Sequence, residues 1–109
     1  MTFDEYQLAA IRTARRHDDK DELMHLVLGI VGEAGEIAEK FKKWVRDQDS
    51  DESKLDVDDI KKELGDVLWY TAVMAQYLGV KFDDVAAGNI AKLADRQQRG
   101  VLKGSGDNR

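Results

Sequence analysis

The sequence predicts an all-α fold of the four-helix-bundle type, on three observations. Proline is absent from the 109 residues, β-branched residues are few outside apolar stripes, and apolar side chains recur at helical spacing in four segments. The length suits one domain with one modest core. A hydrophobic content of 42% is ordinary for such a domain, whereas 36% charged residues is high.

The elements follow in order. Thr2 and Glu5 have capping-box spacing and open a helix with Phe3, Tyr6, Ala10, Ile11 and Ala14 along one side. The polar run HDDKDE closes it and caps a second helix, from about Glu22 to Arg46, with Val27, Ile30, Val31, Ala34, Ala38 and Phe41 at core spacing. DQDSDESKLD then reads as a mobile loop. A third helix starts near Asp56 or Val57 and runs to Leu78, where Gly79 ends it. Its second half, LGDVLWYTAVMAQYL, is apolar on nearly every side and is expected at the centre. Asp83 or Asp84 caps a fourth helix, DVAAGNIAKLADRQQR, which ends at Gly100. Residues 1–100 thus form a single helical domain, and VLKGSGDNR (101–109) a flexible basic tail, either disordered or closing over a ligand. The third helix carries more apolar surface than a small chain covers, so a homodimer or a homotetramer (a dimer of dimers) is expected.

Charge and composition exclude several classes. The net charge of −5 argues against a nucleic-acid binder. Its distribution is uneven: residues 1–80 hold 11 basic and 18 acidic side chains, residues 81–109 six basic and four acidic. An acidic body with a basic C-terminal arm suits a small anionic ligand carried with metal ions. Without cysteine, neither a disulfide framework nor a thiolate metal site is available. No apolar run is long enough to span a membrane, and the N-terminal stretch lacks the basic-then-apolar pattern of a secretory signal. A cytoplasmic protein with no membrane partner is the expectation.

The chemistry concentrates in GIVGEAGEIAEKFKK, residues 29–43, where Gly29, Gly32 and Gly35 interrupt a helix. Each costs about 1 kcal/mol relative to alanine. Gly29 and Gly32 bracket the face of Glu33 and Glu36, which lie about 60° apart on the helix, and strip it of competing side chains. Glu63 and Asp66, in KKELGDVLWY, repeat the spacing with a glycine between them. Asp66 opens an otherwise apolar segment and shares a face with Tyr70, Val73 and Tyr77. A carboxylate there must be paired, protonated or metal-bound. A solvated face for the first pair and a buried salt bridge for Asp66 are the structural alternatives. With the two helices antiparallel and both pairs inward, four carboxylates converge and require cations. All-oxygen ligation favours Mg²⁺ or Mn²⁺ over zinc or copper. A di-iron bundle needs Glu-x-x-His motifs, and His17 and His25 sit at neither i+3 position, which leaves them surface or structural residues.

GEAGEIAEKFKKW followed by KKELGDVLWY resembles the E-x-x-E…E-x-x-D signature of the MazG-like all-α nucleoside triphosphate pyrophosphohydrolases, and NIAKLADRQQRG resembles that family's N-x-x-K-L-x-x-R segment. The resemblance spans about residues 22 to 99. It implies Mg²⁺-dependent hydrolysis of nucleoside triphosphates between the α and β phosphates, with release of pyrophosphate. It also implies Glu33, Glu36, Glu63 and Asp66 as metal ligands, with one glutamate of the first pair acting on the attacking water. Removal of unwanted nucleotides is the physiological role it suggests.

Cations must meet the phosphates from outside the acid cluster. Lys43 lies two turns beyond Glu36 with Lys40 close to it, and Asn89, Lys92 and Arg96 form a stripe on the last helix. The tail's Lys103, Asp107 and Arg109 are the residues that would close over a ligand. For the base, Trp44 is preferred over Trp69, Tyr70 and Tyr77, because it sits beside the acid face near the loop. Two other readings stay open: a related enzyme acting on phosphoribosyl-ATP, dUTP or dCTP, and a non-catalytic helical module whose acid cluster binds a structural cation or a basic partner.

Overall fold

Helix ends leave backbone groups without partners inside the helix, and this chain supplies many of them from side chains. The computed structural model describes residues 1–15 and 20–109. Among these residues lie four α-helices and no strand: α1 (Phe3–Ala10), α2 (Lys20–Gln48), α3 (Val57–Tyr77) and α4 (Phe82–Gln98). Positions 17–19 of the polar run HDDKDE, His17 among them, lie outside the described residues. Thr2 Oγ1 accepts the amide of Glu5 at 3.0 Å, and the Asp56 carboxylate accepts that of Asp59 at 3.0 Å, which start α1 and α3 where the sequence places them. Gly79 takes the left-handed conformation (φ 73°) that ends α3.

Three local features depart from expectation. Helix α1 stops at Ala10 and tightens into a 3₁₀ turn, Ile11–Thr13, before reaching Ala14. The Trp69 indole donates to Ala10 O and Thr13 Oγ1, so side chains satisfy the last groups of α1. Helix α4 begins at Phe82, ahead of both aspartates expected to cap it. Its amide at Asp83 is capped from elsewhere, by Asp4 Oδ1 at 2.8 Å. Asp83 Oδ1 in turn accepts the amide of Asp4 at 3.2 Å. Thus α1 and α4 cap each other. The polar loop between α2 and α3 is internally bonded. Its 3₁₀ turn, Glu52–Lys54, is capped by Asp51, whose carbonyl accepts from the Trp44 indole at 2.7 Å.

Helices α2 and α3 run antiparallel. Lys40 bonds Asp59, Tyr70 packs over Gly29, and the His25 and Tyr70 rings lie 6.2 Å apart. A Cβ at Gly29 would collide with the Tyr70 ring, which explains that glycine by close approach. Gly32 and Gly35 face open space. The core (Ala10, Leu26, Ala72, Val73, Ala75 and Phe82) gathers where α1 and the start of α4 pack on the C-terminal half of α3 and the N-terminal half of α2. The other end of the α2–α3 hairpin projects beyond it.

Helix α2, about 44 Å long at 1.5 Å per residue, leaves a whole face uncovered. Met24, Leu28, Val31 and Val45 are each more than half exposed and share one seam with Gly35 and Ala38. The chain exposes 8156 Å², against about 6,100 Å² for a compact monomer of this mass. Its radius of gyration, 16.9 Å, exceeds the roughly 13 Å of a compact domain.

Gln7 locks the core end. Its amide nitrogen donates to Ala72 O (3.2 Å) and Val80 O (3.0 Å), while its oxygen accepts from the amide of Phe82 (3.1 Å), all from a buried position. Gln7→Leu leaves the amide of Phe82 without this acceptor and Val80 O without this donor. The expected loss is about 2–3 kcal/mol of unfolding free energy, measured by urea denaturation, with helix content retained.

Candidate metal centre

The antiparallel register sets a turn of α2 against a turn of α3. Glu33 (α2) and Glu63 and Asp66 (α3) each offer a carboxylate oxygen, and these oxygens lie within 4.8 Å of one another. Glu33 and Glu63 are half-buried in the seam, whereas Asp66 is exposed at its edge. Glu36, one turn further along α2, stays outside this group and faces solvent. The sequence-expected set of four is therefore a close group of three with a fourth carboxylate beside it.

Burial holds the Glu33 carboxyl above its usual pKa, and the charges of Asp66, Glu63 and Glu36 push it further the same way. Lys40 is the nearest counter-charge: its Nζ bridges Asp59 at 2.5 Å and Glu63 Oε1 at 3.4 Å. Above the group, α1 contributes Tyr6, whose hydroxyl pKa is raised by burial and then by the Asp66 charge. Hard oxygen donors in mutual repulsion fit a divalent cation such as Mg²⁺ or Mn²⁺.

Two clefts lie along the hairpin, neither lined by the three carboxylates. One, of about 350 Å³, lies at the tip of the hairpin and is lined by Lys40, Lys43, Trp44 and Lys54 among others. It contains two of the sequence-expected substrate contacts, Lys43 and Trp44, although the Trp44 indole nitrogen is already committed to Asp51 O. The other, of about 340 Å³, lies between α1, the start of α2 and the end of α3, with Ile11, Arg12, Arg15, Leu26 and Val73 on its walls. Val73 follows Asp66 by two helical turns on the same face, about 10 Å along α3.

The cations of α4 are elsewhere. Arg96 is buried and donates to the Asp107 carbonyl (2.7 Å) and carboxylate (3.2 Å), which Lys92 also bridges at 3.2 Å; Asn89 is exposed on the same helix. Those two cations hold Asp107 below its usual pKa. Among the described residues no hydrogen bond or ion pair links Asn89, Lys92 or Arg96 to the three-carboxylate group, and none of the three lines either cleft described above. Sequence reasoning missed Tyr6, which the helical stripe of α1 marks as core, and Asp59, whose role needs the packed register of α2 and α3 to be seen.

Among the described residues the chain is all-helical, and two antiparallel helices bring together three carboxylates that could hold a cation. The model of the MazG nucleotide pyrophosphohydrolase domain matches residues 21–101, and the chain belongs to that family. It is also similar to the Gene 37 protein of Mycobacterium phage L5, with 46% identity over 114 residues covering the whole of both chains. No solved structure matches it.

Repulsion inside the group makes a specific prediction. Asp66→Asn removes one of the charges facing Glu33, so in EDTA the variant melts at or above the wild type. The gain is at most about 1 kcal/mol at an exposed position, or roughly 4–8 °C. The same variant loses most of the Mn²⁺-induced rise in melting temperature, which the wild type shows as a ligand bound only by the folded state. Thermal melts with and without Mn²⁺ read both effects.

Proposed function

We propose that this MazG-domain protein is a metal-dependent hydrolase that splits nucleoside triphosphates, ribo- or deoxyribo-, between the α and β phosphates and releases a monophosphate and pyrophosphate. The observation that carries the reading is the convergence of Glu33, Glu63 and Asp66 oxygens within 4.8 Å, on the helices the family model covers. These three residues would hold Mg²⁺ or Mn²⁺, with Glu36 beside them. When bound, such an ion neutralises phosphate charge and makes a coordinated water more acidic.

The chain's own residues divide the remaining work. One glutamate of the Glu33/Glu36 pair would take the proton of the attacking water; Glu36, exposed beside the group of three, is free of the close carboxylate contacts that Glu33 makes. The water oxygen bonds to phosphorus as the bridging oxygen leaves. Lys43 and Lys54, in the cleft beside Trp44, meet phosphate oxygens, and Trp44 offers an aromatic face. The second cleft, with its apolar walls and Arg12 and Arg15, is the better seat for a nucleoside. Clearance of unwanted nucleotides is the role this chemistry serves.

The same reading includes self-association. The surplus of about 2,000 Å² over a compact monomer equals what a protomer buries in an obligate dimer, and the α2 seam of Met24, Leu28, Val31 and Val45 is its apolar share. Gly35 and Ala38 in that seam let a second helix approach closely. A dimer, or a dimer of dimers, also offers a route by which the exposed Asn89 and partly exposed Lys92 of one copy reach phosphates held by another, while the buried Arg96 would act by holding the tail through Asp107.

Two measurements check this. Pyrophosphate release from a panel of NTPs and dNTPs is expected with Mg²⁺ or Mn²⁺, to vanish in EDTA, and to fall at least 100-fold in Glu63→Gln; no release from a folded, metal-loaded sample overturns the enzyme reading. Light scattering after size exclusion is expected to give a dimer or tetramer mass, and Val31→Glu, which buries a charge in the seam, shifts it toward the monomer.

A further inference from the structure

Lys40 is the cation in direct contact with the three-carboxylate group, and its position is shared. Its Nζ bonds Asp59 at 2.5 Å and reaches Glu63 Oε1 at 3.4 Å, so one ammonium spans a half-exposed aspartate outside the group and a glutamate inside it. The Glu63 side chain is 17% exposed and that of Lys40 30%, which limits water's ability to replace either partner. Two turns of antiparallel helix fix the arrangement, since Lys40 follows Glu33 by seven residues and Asp59 precedes Asp66 by seven. Lysine suits the position chemically: a compact ammonium on a flexible stem can move between two carboxylates.

We propose that Lys40 is a built-in counter-cation of the metal centre: it neutralises Glu63 while the centre holds no ion, and withdraws onto Asp59 when a divalent cation claims Glu63. This rests on the assignment of Glu33, Glu63 and Asp66 as the ion-binding group. Lys40 and the ion compete for one carboxylate, and Asp59 sets how readily Lys40 yields it. Lys40 is thus a positioning residue that tunes how tightly the centre holds its ion. The two residues act with opposite sign. Removing Lys40 frees Glu63 for the ion, and removing Asp59 leaves Lys40 on Glu63 alone.

Calorimetric titration of Mn²⁺ into the full chain without nucleotide reads this directly. Lys40→Met is expected to tighten Mn²⁺ binding by roughly three- to fivefold, the upper part of the range for a partly exposed ion pair. Asp59→Asn is expected to weaken it by a similar factor, and to do so much less in the Lys40→Met background, because its action passes through Lys40. Lys42→Met removes the same charge two residues away, from a lysine paired with Glu39 at 3.0 Å, and is expected to leave the affinity within twofold. Melts in EDTA supply a second readout: Lys40→Met lowers the melting temperature without metal, and saturating Mn²⁺ narrows the difference to what the Lys40–Asp59 pair contributes. Weaker binding in Lys40→Met, or an equal tightening in Lys42→Met, overturns the role of Lys40 with the metal centre intact. No Mn²⁺ binding by the folded wild type overturns the metal centre itself, and the inference with it.

Discussion

The register of α2 against α3 is the constraint on which the rest depends, because it forces carboxylates of like charge into one small volume. Neither pair alone is unusual, since acids three residues apart on a helix face are common on protein surfaces. It is the packing of Tyr70 onto Gly29 that brings the two helices close, and the pairing of Lys40 with Asp59 that fixes the far side. Between those two contacts Glu33 meets Glu63 and Asp66. The raised pKa of Glu33 is the electrostatic trace of that enforced meeting. Repulsion of this kind lowers stability locally, a compromise expected where function is built.

The placement of this centre follows from where the core is. Buried apolar residues collect at one end of the hairpin, beneath α1 and the start of α4. The acids sit at the border between that core and the projecting two-helix arm, which gives Glu33 and Glu63 partial burial and leaves Asp66 at the edge. For the proposed hydrolase, a fully cored site would shut out a charged substrate, and a site at the hairpin tip would lose the dielectric contrast that strengthens electrostatic interactions. The border supplies both access and a partly dry wall.

Features set by local spacing could be read from the sequence. The Thr2 cap, the start of α3 at Asp56–Val57 and the stop at Gly79 depend on residues within one or two turns, and the structure places them as expected; the spacing of the acids was legible too, but only three of the four meet. The all-helical class follows in the same way from composition and period. Features that depend on distant partners were not legible. Asp83 looks like the cap of its own helix, yet its carboxylate serves α1, because α1 and α4 meet end to end. Gln7 looks like a surface polar residue in an amphipathic helix, and only the turn before α4 shows why it is buried. Lys92 and Arg96 share a helical stripe, but the spacing gives no sign that the carboxylate of Asp107 folds back onto them. Gly29, Gly32 and Gly35 look alike in sequence; a side chain approaches one of them within the chain, and the other two lie open.

The mutual capping of α1 and α4 bears on the order in which the molecule assembles. Its hydrogen bonds join Asp4 to Asp83, positions 79 residues apart, whereas the α2–α3 hairpin forms from contacts as near as 19 residues, such as Lys40 with Asp59. Closing a long loop carries a larger entropic penalty before any bond repays it, so local pairing comes first. By that measure of loop length, pairing within the α2–α3 hairpin, its acid cluster included, is favoured ahead of the clasp between α1 and α4.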